Sequence, residues 1–181
     1  MEGKVGNKDR FEYSLTSIEK VAARLHDQFA NGSGVISIRQ LSMLANYLGA
    51  DVRAVDFTPD EVSARVFENP GDAGAYTIEL SKNEPLRRQK FSLAHEIAHI
   101  VLHKIDEDPL VEYRRPILEY ADPNDLYKET QANAFAAALL IPKSAAERAW
   151  RELNDIDDFA EMFQVSRSAA YNRLNNLGLV S

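Results

Sequence analysis

Three of the chain's four histidines fall within FSLAHEIAHIVLH, residues 91–103, with an acid between the first two. On a helix, the four-residue spacing of His95 and His99 sets them about 6 Å apart along the axis and rotated by roughly 40°, so both imidazoles can converge on one ion. Glu96 lies about 100° round from His95, outside that ligand pair but placed to hold a water bound to the ion. His95-Glu96-Ile97-Ala98-His99 is therefore an HExxH arrangement, in which a metal acidifies a water and the glutamate takes its proton. The alternative is a chance match on the solvated face of an ordinary helix. Such a face would show Lys and Glu around the motif, whereas FSLA precedes it and IVLH follows. Imidazoles and a carboxylate buried on so apolar a helix need partners, because an unpaired buried charge is costly. His103 continues the spacing but stands about 12 Å along the axis from His95, beyond one coordination sphere. The Gly-turned third histidine of HExxHxxGxxH is missing as well. His103 is read as a structural residue closing the helix, partly exposed or hydrogen-bonded.

Catalytic zinc usually keeps three protein ligands and an open fourth position. Downstream, DPNDLYKETQANAFAAALLIP has a helix start at Asp122-Pro123 and a stop at Ile141-Pro142, with a strongly helix-forming Ala- and Leu-rich run between them. Glu129 leads into its most apolar part, and Asn133 follows four positions later on the same face. That pair can supply one carboxylate to the metal and one amide to orient a ligand histidine. The alternative is an ordinary surface Glu129 paired with Lys128 or Arg114, and spacing does not decide between them. A transition-state donor has several candidates: Tyr113, Tyr120, Tyr127, Tyr171, Arg114 and Arg115.

These residues need elements to position them. From Glu84 to Lys104 nothing after Pro85 breaks a helix, and Leu86, Phe91, Leu93, Ala94, Ile97, Ala98, Val101 and Leu102 supply its buried surface. Upstream, residues 16–48 read as two helices. The first has Thr16 and Glu19 at capping-box spacing; the second starts at Ser37 and closes at Gly49. Residues 52–81 read as a small sheet with a hairpin at ENPGDAG, which is dense in turn formers. Thr58-Pro59-Asp60-Glu61 is a competing signal for a single helical turn. The strand AYTIEL could offer an edge to an extended substrate peptide, or serve only as core.

A chain of 181 residues that is 45% hydrophobic can bury a core unaided. It has no cysteine, which excludes disulfides and any thiolate metal or redox site, and is compatible with a reducing cytoplasm. The polar start of the chain and the lack of a run of about 18 apolar residues predict a soluble cytoplasmic protein without a membrane span. A net charge of −7 argues against a general nucleic-acid binder.

RRQKFSLAHEIAHIVLH followed by ETQANAFAAALLIP resembles the signature of the ImmA/IrrE family of zinc peptidases, over roughly residues 52–142. Two separated motifs are far more specific than a lone HExxH. The resemblance implies an α+β fold with a zincin-like peptidase core: a small twisted sheet (52–81), an HExxH helix (84–104) and a glutamate-ligand helix (124–141). It implies that His95, His99 and Glu129 bind the metal, that Glu96 is the general base and that Asn133 supports the site. The metal implied is Zn2+, with Mn2+ compatible with the same ligands. Known members of the family cut or otherwise inactivate helix-turn-helix repressors, often in mobile elements or stress responses, so the implied partner is a protein, a repressor or an antitoxin. Gln131 stands where many relatives carry a second Glu.

Beyond a peptidase domain at 1–149, residues 150–181 form a helix-turn-helix-like pattern. IDDFAEMF, a turn at QVS with Ser166 as cap, and RSAAYNRLNNL stopped by Gly178 place Ala160, Val165, Ala170 and Leu174 as internal contacts. This unit suggests rival functions: a DNA-binding regulator whose metal is structural or sensory, or the toxin of a toxin-antitoxin pair. From Trp150 onward three arginines face five acids, so specific DNA binding is not expected.

Overall fold

The structure is a computed structural model that describes residues 13–32, 34–57, 63–103 and 123–180. Among these residues the fold is mixed α+β, with seven helices and one three-stranded sheet. Helices α1 (Leu15–Phe29) and α2 (Ile38–Tyr47) come first, followed by strands β1 (Ala50–Val55), β2 (Ala64–Glu68) and β3 (Tyr76–Ser81). Helices α3 (Leu86–Leu102), α4 (Pro123–Leu140), α5 (Lys143–Leu153), α6 (Ile156–Phe163) and α7 (Arg167–Asn176) complete the described chain. Tyr113, Tyr120, Arg114, Arg115 and the turn signal at 58–61 lie outside the described residues.

The cap of α1 is Ser14, whose hydroxyl accepts from the Ser17 N–H, and not Thr16, which lies inside the first turn. Glu19 does not fold back into a capping box because it has stronger partners elsewhere. It accepts from the Arg173 guanidinium at 2.5 Å and from the Lys143 N–H at 3.2 Å. In α2, Ser37 and Gln40 form the full reciprocal box. Gly49 then turns the chain at φ 86°, and a Cβ there would sit 2.7 Å from the Gly74 carbonyl oxygen. Both the left-handed turn and the close approach to the β2–β3 hairpin require glycine.

The strand order is β1-β3-β2, with β1 parallel and β2 antiparallel to β3. Strand β3 therefore lies in the middle, paired from Ala50↔Tyr76 to Val55↔Ser81 on one side and from Ala64↔Leu80 to Glu68↔Tyr76 on the other. Thr77, Ile78, Leu80 and Ser81 are buried along it. The expectation that AYTIEL could offer an edge to a peptide is thus corrected. Both rows of its backbone groups are already used in the sheet, and among the described residues the edges belong to β1 and β2.

Helix α3 packs against β2, β3, α2 and α4, while α4 packs between α3 and α1. With neighbours on so many sides, α3 is buried continuously from Ser92 to His99. Leu93 and Ile97 are fully buried, each worth about 1.5–3 kcal/mol of apolar burial. The fourth histidine, His26, is structural. Its ring nitrogens reach the Leu139 carbonyl at 2.7 Å and the Gly34 carbonyl at 3.0 Å, tying α1 to the end of α4.

The last two helices are fastened to the rest by long cationic side chains. Buried Arg173 donates from Nε to the Ile141 carbonyl at 2.8 Å, and Arg87 donates to the Val165 carbonyl and pairs with Glu161. Lys90 is 2% exposed, and its Nζ donates at 2.8 Å to the carbonyl of Phe163, the last residue of α6. A cation there satisfies an otherwise orphaned helix carbonyl at the negative end of the helix dipole. Burial, with Arg87 nearby, lowers the Lys90 pKa to about 8 from 10.5. Between those values the unfolded chain holds the proton that the folded chain has lost, so stability rises with pH in that window. Wild-type protein should therefore gain stability relative to Lys90→Met between pH 8 and 10 in urea titrations. A difference that does not change with pH would show that this ionisation is not linked to folding.

Candidate metal centre

The packing of α3 on α4 brings together side chains 30 and more positions apart. His95 and His99 are buried on α3, one turn apart, and Glu129 is half-buried on α4. His95 Nε2 lies 3.0 Å from His99 Nε2 and 3.1 Å from Glu129 Oε2, and His99 Nε2 lies 3.2 Å from Glu129 Oε1. Ligand atoms around a tetrahedral zinc at about 2.0–2.1 Å stand roughly 3.3 Å apart, so these spacings match a shared ion. Among the described residues, His95, His99 and Glu129 are the group of three potential ligands that meets this test.

The outer faces of the two rings indicate what their inner faces carry. Asn133 Oδ1 lies 3.0 Å from His95 Nδ1, and an amide oxygen only accepts, so that nitrogen bears the hydrogen and Nε2 keeps its lone pair. The Nδ1 of His99 is likewise turned away from the cluster, 3.2 Å from His103 Nδ1. Two imidazole nitrogens and a carboxylate thus converge with electron pairs facing one another. Such a donor set repels itself unless a cation lies at its centre. The Glu129 carboxyl shows the same demand for positive charge. Burial raises its pKa, but positive charge shared with the facing nitrogens of His95 and His99 outweighs burial and holds it well below the usual carboxylate range.

Glu96 is buried beside His95 on α3 and is not one of the converging three. Asn133 lies one turn beyond Glu129 on α4 and touches His95, so the two halves of that face serve the cluster differently. The surface-charge alternative for Glu129 does not describe the structure, because its carboxylate faces the two imidazoles. Of the suggested transition-state donors, Tyr127 and Tyr171 are exposed. Two residues were not singled out for a role at the site. His103, the C-cap of α3, touches the ring of His99, and buried Gln131 accepts from His103 Nε2 at 3.1 Å. The spacing rule that pairs His95 with His99 also pairs His99 with His103, and Gln131 lies two residues from Glu129.

Residues 45–175 match the family model of the IrrE N-terminal-like domain, a peptidase family. The chain belongs to the IrrE N-terminal-like peptidase family. A solved structure described as a Mycobacterium tuberculosis transcriptional regulator is similar in fold, with a TM-score of 0.62 at 21% identity. The match covers 87% of this chain and 46% of that one, so this chain spans less than half the length of the regulator. No curated protein matches. Membership of the IrrE-like family indicates a metallopeptidase, and together with the donor geometry it points to a metal ion at His95, His99 and Glu129. No described helix of this IrrE-like chain is long and apolar enough to cross a membrane.

The contact between Asn133 and His95 carries a prediction of its own. Asn133→Ala leaves all three potential ligands in place but frees the His95 ring, so metal affinity should fall by about 10–100-fold. Competition with a chromophoric chelator measures this. An unchanged affinity would mean that the amide does not orient the ring.

Proposed function

We propose that the chain is a zinc-dependent endopeptidase acting inside the cell on a protein substrate, in the first place a helix-turn-helix transcriptional repressor. The observation that carries this is the convergence of His95 Nε2, His99 Nε2 and a Glu129 oxygen at 3.0–3.2 Å, in a chain of a peptidase family. The zincin-like reading of the core is supported by the packing of α3 on both the sheet and α4, which sets the HExxH residues against the glutamate. The helix-turn-helix-like reading of α6 and α7 is supported by the burial of Ala160, Val165, Ala170 and Leu174 and by the Ser166 cap, whereas its expected start at residue 150 falls inside the continuous helix α5.

Zinc held by His95, His99 and Glu129 would supply a water with a pKa near 7 and polarise the scissile carbonyl. Manganese would suit the same ligands less well. Glu96, on the same helix one residue from His95, would accept a proton from such a water and pass it to the leaving amine nitrogen. Asn133 holds the His95 ring so that its Nε2 faces inward. Among the described residues β2 pairs on one side only, with β3, and it packs on α3. An extended peptide adding to the open side of β2 would gain backbone hydrogen bonds close to the active-site helix. Incubation of the zinc-loaded protein with a repressor encoded beside it, with and without chelator, tests this. Mass spectrometry should find defined fragments only without the chelator, and an intact repressor in both samples would remove that substrate class.

The likeness to a transcriptional regulator favours a second reading, in which α6 and α7 read DNA and the metal is structural or sensory. The charges oppose it. Arg173 is buried against Ile141 and Glu19, and Arg167 pairs with Asp157 at 2.8 Å, so both arginines of α7 already have partners. Selection from a random-sequence duplex pool at physiological salt should recover no motif. A defined motif would promote this second reading.

A further inference from the structure

We infer that His103 and Gln131 are positioning residues that set the proton arrangement of His99, through a hydrogen-bonded chain running from the backbone of Tyr13 to the metal centre. This rests on the zinc-peptidase reading above and extends it to residues outside the ligand set.

The chain can be followed one donor at a time. Gln131 Nε2 donates to the Tyr13 carbonyl at 2.9 Å, and a carbonyl accepts only, so the amide orientation is set. Its Oε1 then faces His103 Nε2 at 3.1 Å, and that nitrogen must carry the hydrogen. In the neutral ring the other nitrogen, Nδ1, is left with a lone pair. It lies 3.2 Å from His99 Nδ1, which therefore donates to it. With its hydrogen on Nδ1, His99 presents a lone pair on Nε2, the atom that faces Glu129 and His95. On the other ligand, Asn133 Oδ1 does the same for His95 in a single step. The two imidazoles are thus oriented by different devices: an amide on α4 for one, and a histidine backed by an amide on α4 for the other.

The chain also joins three elements. Tyr13 precedes α1, Gln131 lies on α4 and His103 caps α3, so the docking of α1 on α4 bears on the geometry of His99. An Asn at position 103 places an amide oxygen close to the site of the imidazole Nδ1 and can accept from His99 as Asn133 accepts from His95. A Leu there can accept nothing.

Zinc affinity by chelator competition, with two-bond 1H–15N spectra of the histidine rings in the zinc-loaded protein, provides the test. The wild type should show His103 neutral with its hydrogen on Nε2, and His99 with a slowly exchanging hydrogen on Nδ1. His103→Leu and Gln131→Met should each lose affinity, by about 10–100-fold for the first, and the His99 Nδ1 hydrogen should exchange faster in both. His103→Asn should stay within about threefold of wild type, the rescue that a merely space-filling role would not give. Equal affinity in His103→Leu, Gln131→Met and wild type, or a His103 hydrogen on Nδ1, would overturn the inference while leaving the zinc site standing. A wild type that binds no zinc would overturn both.

Discussion

Glu96→Gln is expected to leave zinc bound at wild-type stoichiometry while slowing peptide cleavage by about 10²- to 10⁴-fold, the range associated with loss of a general base. Glu96 shares a helix with the two histidines but stands outside the converging group. Its loss therefore removes no coordinating atom. Glutamine fills nearly the same volume on a helix buried on several sides, so the packing around Leu93 and Ile97 should be kept. What it cannot do is take a proton. Elemental analysis and the cleavage rate of the same preparation separate the two roles. Lost zinc would make Glu96 a ligand, and near-normal cleavage would remove it from the proton path.

Glu129→Ala should act on the other half of the site. Here the carboxylate is itself one of the three converging groups, and its removal leaves two imidazoles to hold the ion. Zinc affinity should fall by more than the roughly 10–100-fold typical of losing an outer partner, and activity should vanish with the metal. The ordering Glu129→Ala well below Asn133→Ala, and Asn133→Ala below wild type, is as informative as either value. Full zinc occupancy in Glu129→Ala after dialysis would send the search for the third ligand to Asp125, exposed on α4, or to Glu119 and Asp122, which lie outside the described residues.

The HExxH helix could be read from sequence because its signal is local: polar residues at helical spacing in an apolar run are expensive to bury without partners. Glu129 was less legible, since nothing within its own helix distinguishes a ligand from a surface acid. Its convergence with His95 and His99 emerges only when α4 lies against α3. The second helix and its capping box were equally local, with Ser37 and Gln40 both visible in the chain. At α1 the same logic misplaced the cap, because Glu19 is drawn to Arg173, a residue 154 positions away. The strand AYTIEL was recognisable as a strand but not as the central one. Alternation reports which residues face a core, not which strands flank them, and the parallel pairing with β1 is a tertiary choice. His103 and Gln131 share this difficulty, since their link to His99 exists only once α3, α4 and Tyr13 ahead of α1 have met.

That one zinc ion is held by His95, His99 and Glu129 is the claim on which the peptidase mechanism depends. Zinc K-edge X-ray absorption on protein purified without chelator tests it most directly. The expected result is one zinc per chain, with nitrogen and oxygen neighbours at about 2.0–2.2 Å and the outer-shell scattering of two imidazoles. Substoichiometric zinc, or a shell without imidazole scattering, would contradict it.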